Sequence, residues 1–493
     1  MSANNGIEVA AGHALSKEAY DEIVPGLREA LVNAQYDVTQ QRDFAVLVLL
    51  AGMSGSGRSE TANRLSEWMD PRYVHLRALD EPTGFERARP HMWRYWQALP
   101  PKGSIGVLLE SWYHAPVVKH ASSALSGLAL QRSLAEIRDF ETLLVHEGVL
   151  LLKLWFHLEE AAQVERLQKL SASKLTRWRV TDEDRWQLKH YEAFSAAAKN
   201  ILGGTGSVEA PWTIIDGSDE QYREVAVGRL LHEALRRRLD TGIPDASVAP
   251  ALPERRRKRN PLHELDLNKR LDKADYQKQL EEQQARLARL TRRNRFRKRS
   301  LVVVFEGMDA AGKGSAIRRI TYALDVRQYT VVPIAAPSEE ELRYPYLWRF
   351  WRALPKQGEI TIFDRSWYGR VLVERVENLA DAADWQRAYE EINAFEQQLI
   401  ESGTLVVKFW LQISKAGQLK RFREREETPF KRFKITPDDW RNRRKWDAYQ
   451  QAAADMIERT STAPWTLIEA EDKYYARIKV LRTLVEKIES ALD

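Results

Sequence analysis

Two stretches of this chain carry the same loop. GMSGSGRSE at Gly52–Glu60 and GMDAAGKGS at Gly307–Ser315 each follow an apolar run of strand type, VLVLLA and LVVVFE. A shift of 255 residues brings them together and keeps matching along the chain. WRYWQALP at Trp93–Pro100 meets WRFWRALP at Trp348–Pro355, identical at six of eight positions. SWY at Ser111 meets SWY at Ser366, Phe140–Glu141 meets Phe395–Glu396, and Lys153 meets Lys408. PWT at Pro211 meets PWT at Pro464 after the shift has shrunk by two. So long a period excludes a solenoid and indicates a tandem duplication of one domain. A chain of 493 residues is also too long for a single core.

Within each copy, short β-branched runs alternate with longer helical stretches. In the second, a helical lead-in over roughly 262–293 precedes LVVVF, followed by YTVVPIAA, EITIFD, TLVVKFWLQI and PWTLIEA. This order predicts a parallel sheet covered by helices on both faces, an α/β doubly wound domain present twice. The expected boundaries are 1–245 for the first copy, 246–261 for a linker and 262–493 for the second.

The opening MSANNGIEVA lacks a basic start followed by an apolar stretch, so no secretory leader is expected. Apolar runs fall short of the roughly 20 residues that span a bilayer. The absence of cysteine excludes disulfides and thiolate metal sites, and suits a cytoplasmic enzyme. Net charge is +6, but Glu254–Ser300 holds 17 Lys/Arg against 7 Asp/Glu, so the remainder is net acidic. The run Arg255–Arg259 follows a Pro/Ala-rich stretch and reads as a solvated linker or a polyanion tether.

Strand, G-x-x-x-x-G-K, helix is the phosphate loop. Its glycines let backbone N–H groups converge on an anion at a helix N-terminus, and its Lys reaches the terminal phosphates. Gly307, Gly312 and Lys313 fit in pattern and context. The eighth position is Gly314, with Ser315 one residue later, which weakens a hydroxyl contact to a metal. Asp364 ends the strand EITIFD and is followed by Arg365 and Arg370. A carboxylate there can hold Mg²⁺ beside a phosphate loop, with Asp309 as a second oxygen ligand. It could also cap the following helix. RFREREETPFKRFK at Arg421–Lys434 is too cationic for core and reads as a lid over phosphates or a solvated helix face.

The first copy lacks this set. It has Ser54 for Asp309, Arg58 for Lys313, Leu109 for Asp364, Glu110 for Arg365 and Ala115 for Arg370. In the lid it has Gln168, Leu170 and Thr176 for Arg423, Arg425 and Lys431, keeping Arg166 and Arg179 for Arg421 and Lys434. The packing motifs survive where the chemistry does not. The first copy is expected to be inactive.

Together GMDAAGKG, DRSWYGR, RYPYLWRFWRALP and the lid with KRFKITPDDW closely resemble the second family of polyphosphate kinases. The resemblance covers nearly all of 262–493 and, degenerately, most of the first half. It implies Mg²⁺-dependent transfer of phosphate between inorganic polyphosphate and a nucleotide. Within the family, fusion of two copies goes with AMP as acceptor and ADP as product. Its essential positions carry over to Asp309, Lys313, Asp364 and Arg365. Phosphate ligands would be Gly307, Gly312, Gly314, Ser315, Arg370, Arg421, Arg423, Arg425, Lys431 and Lys434, and the metal ligands Asp309 and Asp364. The expected partners are polyphosphate and a nucleotide, with neither membrane nor specific nucleic acid, and a homo-oligomer left open. Two enzyme alternatives stand beside this: a polyphosphate kinase acting on ADP or GDP, and an ATP-dependent nucleotide kinase. A polyanion-binding protein is a third, but it gains nothing from carboxylates in its groove.

Overall fold

In the computed structural model of the chain, residues 13–244, 260–429 and 435–493 are described. They fall into two compact units. One draws on residues 13–82, 94–244 and 338–346; the other on 83–93, 260–337, 347–429 and 435–493.

Each unit is built on a five-stranded, all-parallel sheet. In the first, β1 (Val46–Gly52), β2 (Val74–Ala78), β3 (Ile105–Leu109), β4 (Leu150–His157) and β5 (Trp212–Asp216) lie in the order β2-β3-β1-β4-β5. In the second, β6 (Ser300–Gly307), β7 (Tyr329–Pro333), β8 (Ile360–Asp364), β9 (Thr404–Gln412) and β10 (Trp465–Glu469) repeat it as β7-β8-β6-β9-β10. The central strands are continuous apolar runs because helices cover both faces. Val302, Val303, Val304 and Phe305 of β6 are fully buried. Strand β7 takes an edge, where its exposed residues and terminal Pro333 are tolerated. The lead-in is shorter than its periodicity suggests. A 3₁₀ turn covers Pro261–Glu264, and the helix starts only at Lys273, where Asp272 accepts from the amide of Asp275. Among the described residues, no helix is long and apolar enough to cross a membrane.

The motifs shared by the two copies form one internal assembly in each unit. In the second, Lys408 Nζ donates to Glu396 Oε2 at 2.8 Å, to the Thr460 carbonyl at 2.9 Å and to the Tyr368 hydroxyl at 2.6 Å. Tyr368 donates to Glu396, and Lys408 lies 4.8 Å from the Trp465 ring centroid. Trp351 and Trp367 both pack edge-on against Phe395. The first unit matches this with Lys153, Glu141, Thr205, Tyr113, Trp212, Trp96, Trp112 and Phe140. Burial lowers the Lys408 pKa to about 8, although Glu396 opposes it. SWY, FE, the strand Lys and PWT are thus retained for folding: a buried charge needs all of its partners.

Candidate active site

The site forms at the carboxyl ends of the central strands, where doubly wound sheets place their ligands. Loop 307–313 leaves β6 and turns into the helix Lys313–Thr321. Two glycines are required there by geometry. Gly307 has φ +146°, and a Cβ on it would lie 2.4 Å from the Leu411 carbonyl oxygen; Gly312 has φ +109°. The backbone lies too close to β9, and too far from ordinary φ, for any other residue.

Asp309 projects from the loop and Asp364 ends the neighbouring strand β8. Both line one cavity of ≈ 880 Å³ together with Lys313 and Arg365. Asp309 Oδ1 accepts from Arg365 at 3.0 Å and Oδ2 from Asn442 at 3.0 Å. Lys313 Nζ donates to the Gly307 carbonyl at 2.7 Å. Burial lowers the Lys313 pKa, and nearby Arg365 pushes the same way. The carboxylates of Asp309, Asp364 and Glu306 oppose that shift. Asp364 does not cap the following 3₁₀ turn: Ser366 does, accepting from the amide of Tyr368. The carboxylate is left to face the cavity.

The remaining expected residues divide. Gly312, Gly314, Ser315, Arg421 and Arg425 line the cavity. Arg421 is anchored to four carbonyls, those of Ala310, Ala311, Ala470 and Glu471 at 2.6–3.0 Å, so it braces the loop. Its counterpart in the first copy, Arg166, donates instead to Glu60 at 3.3 Å. Arg370 does not line the cavity; it pairs with Glu374 at 2.8 Å and Asp384 at 3.7 Å. Arg423 is exposed on the helix Lys415–Glu427 and does not line it either. Lys431, Lys434 and the run Arg255–Arg259 lie outside the described residues.

The cavity also recruits residues from distant segments. Arg318 and Arg319 come from the loop helix, and Arg441 and Asn442 from the helix Pro437–Arg444. Lys473 and Arg477 come from the C-terminal helix, where Arg477 donates to the Ser315 hydroxyl at 2.9 Å. The sequence did hold a signal for the last two. With the shift reduced to 253, they stand opposite Glu220 and Glu224 of the first copy, a reversal of charge. Among the described residues, nine Lys/Arg against five Asp/Glu line the cavity, a balance suited to a polyanionic ligand.

The same place in the first unit is closed by its own side chains. Arg58 pairs with Glu110 at 2.8 Å, Glu110 with His114 at 2.5 Å, and His114 with Glu183 at 3.2 Å. Burial alone would raise the Glu110 pKa, but Arg58 and His114 hold it down to about 2. His114 is raised by Glu110 against the effect of burial. Gln187 accepts from the amide of Ser54, and Gln163 donates to its carbonyl at 3.0 Å. Arg58, Glu110 and His114 also line a small cavity of ≈ 10 Å³.

For a hard cation, the second unit offers Asp309 and Asp364, the two cavity-lining carboxylates at the ends of the central strands. Among the described residues no group of three or more His, Cys, Asp or Glu is placed to hold a metal. Two oxygen ligands, with water and substrate phosphates completing the shell, suit Mg²⁺.

A family model described as polyphosphate kinase 2 matches the chain twice, over residues 14–241 and 270–493. A protein of Pseudomonas aeruginosa named polyphosphate:AMP phosphotransferase is 49% identical over 97% of this chain and 98% of its own length. One of the same name from Pseudomonas syringae pv. tomato is 48% identical over 97% of each. A crystal structure from Pseudomonas aeruginosa PA01, described under polyphosphate kinase 2, superposes with a TM-score of 0.89 at 48% identity, covering 98% of both chains.

Proposed function

The chain belongs to the polyphosphate kinase 2 family, and on that premise we propose that it is a polyphosphate:AMP phosphotransferase. It moves the terminal phosphate of inorganic polyphosphate onto AMP to give ADP, and the second copy, 262–493, performs the transfer. The observation that carries this reading is the pairing of one open, cationic cavity with one filled counterpart, in a chain similar along its whole length to proteins of that name.

An α-phosphate oxygen of AMP attacks the terminal phosphorus of the polymer. The bond to the bridging oxygen breaks, and that oxygen leaves as the new end of a chain one unit shorter. A phosphate monoester is already anionic near neutral pH, so a general base is dispensable. Lys313 and Arg365 offset charge on the transferring group, and loop amides at the helix N-terminus hold one phosphate chain in line. Arg425 at the cavity wall adds a further cation, and Arg421 keeps the loop in shape. Mg²⁺, when bound, would be held by Asp309 and Asp364 and would neutralise phosphate oxygens.

The test is product chromatography on purified protein with polyphosphate, Mg²⁺ and each of AMP, ADP, GMP and GDP. ADP from AMP without added ATP, abolished by EDTA, is the expected result. ADP formed only when ATP is supplied would move the protein to the ordinary nucleotide kinases.

A further inference from the structure

Strand β6 ends in a buried carboxylate that the phosphate-loop pattern does not explain. Glu306 stands one residue before Gly307 and is 4% exposed. Burial raises its pKa to about 7, although Lys313 opposes the shift. A carboxylate in such a place is costly unless something holds it. Its partner is Ser366, whose hydroxyl donates to Oε1 at 2.9 Å.

Between Asp364 and Ser366 lies Arg365, with φ +66°. A non-glycine residue keeps that left-handed conformation only where its surroundings impose it. Two successive residues of β6 do so. The Phe305 carbonyl accepts the Arg365 amide at 3.0 Å, and Glu306 takes the next side chain along.

The first copy shows the turn without this partner. Ala51 replaces Glu306, and the buried Ser111 hydroxyl, at the position of Ser366, has no hydrogen-bond partner. Glu110 there also has a positive φ, of 51°, but its side chain is gripped by Arg58 and His114. That grip fills the site. In the second copy the turn must be held from behind, so that its side chains remain available to a ligand.

We propose, resting on the phosphotransferase reading, that Glu306 is a positioning residue: its carboxylate clamps Ser366 and fixes the turn that presents Asp364 and Arg365 to the cavity. The experiment compares Glu306→Ala, Glu306→Gln, Ser366→Ala and the Glu306→Ala/Ser366→Ala double variant. It reads steady-state ADP formation and amide hydrogen exchange over residues 364–368. Glu306→Ala is expected to lower kcat about tenfold to a hundredfold, the scale on which a displacement of about 1 Å acts, with a much smaller change in KM for AMP. Glu306→Gln keeps an acceptor for the serine and should restore most of the rate. Ser366→Ala should reproduce Glu306→Ala, and the double variant should be no worse than either. Exchange over the turn should rise in Glu306→Ala and stay at the wild-type level in Glu306→Gln. Wild-type kcat in Glu306→Ala, multiplicative losses in the double variant, or a Gln variant as impaired as Ala would each overturn the clamp. If the wild-type protein forms no ADP, the phosphotransferase reading falls, and the exchange measurement still decides the clamp. If Glu306→Ala does not fold, Ser366→Ala carries the same comparison alone.

Discussion

Lys313 and Arg58 occupy one position in two copies of one fold, so removing each cation separates catalysis from folding. Lys313 stands in an open cavity beside Arg365, and burial already disfavours its charge. Arg365 also disfavours that charge while Asp309, Asp364 and Glu306 favour it, so Lys313→Ala removes opposed contributions and should leave stability little changed. It also removes a cation aimed where charge develops. Loss of one such group costs about 10²–10³ in kcat, or roughly 2.7–4 kcal/mol of transition-state stabilisation. Arg58 has the opposite standing. Its guanidinium pairs with Glu110, the two side chains being 17% and 25% exposed. A pair between surface and core should cost roughly 1–3 kcal/mol to break, since an unpaired, half-buried carboxylate is left behind. Turnover in Arg58→Ala should stay within about threefold of wild type, because no reacting group lies there. The assay is ADP formation from polyphosphate and AMP, with denaturant unfolding of the same preparations. An Arg58→Ala protein as inactive as Lys313→Ala would refute the division of labour. One of unchanged stability would refute the filled-site reading.

In the helix Lys415–Glu427, Arg425→Ala should lower kcat about tenfold or more and Arg423→Ala less, since of the two Arg425 alone lines the cavity; steady-state kinetics at two salt concentrations decide this. In the same kinetics, replacing Arg255–Arg259 by Ser should change at most the salt dependence of polymer capture, and a large loss of kcat would misplace the catalytic cations. The first unit should be most stable between about pH 5 and 6.5. Glu110, held down to about 2, contributes fully above the free-Glu range and loses that contribution as pH falls through its folded pKa. His114, raised, contributes fully below the free-His value and loses its contribution as pH rises through its own folded pKa. Melting across pH 2.5–8 should lose this profile in Glu110→Gln, and an unchanged profile would count against the network. Lys408→Met should destabilise the second unit by about 3–5 kcal/mol, and Lys153→Met the first by as much, because each leaves a buried Glu unpaired. Unfolding midpoints that differ widely between the two would show that the twin networks are not equivalent.

The duplication and both sheets were legible because a parallel strand is a local, apolar run, and the second copy repeats the order of the first. The loop from Gly307 to Lys313 and the place of Asp364 at a strand end were legible because strand, loop and helix are contiguous in sequence. Residues that reach the cavity from elsewhere were not. Asn442 sits on a helix with no buried face, and only topology brings it to Asp309; Lys473 and Arg477 were marked in the sequence by nothing but their charge reversal against Glu220 and Glu224. Arg370 reads like a phosphate ligand from its distance to Asp364, yet Glu374, one helical turn on, takes its guanidinium. Spacing places a side chain near a site; it does not say which neighbour will win it.

The filling of the first unit's loop has a consequence for its history. A site that loses its function by deletion alone can be restored by returning what was deleted. Here the vacated volume has been taken over by Arg58, Glu110, His114 and Gln187, which now hold one another and the Ser54 amide. Returning Asp at Ser54 would set a carboxylate against Gln163 and Gln187 without opening any room for phosphate. The route back needs several changes at once, each destabilising before the last is made. Infilling of this kind works as a ratchet: the contacts that stabilise the first copy also oppose the entry of phosphate.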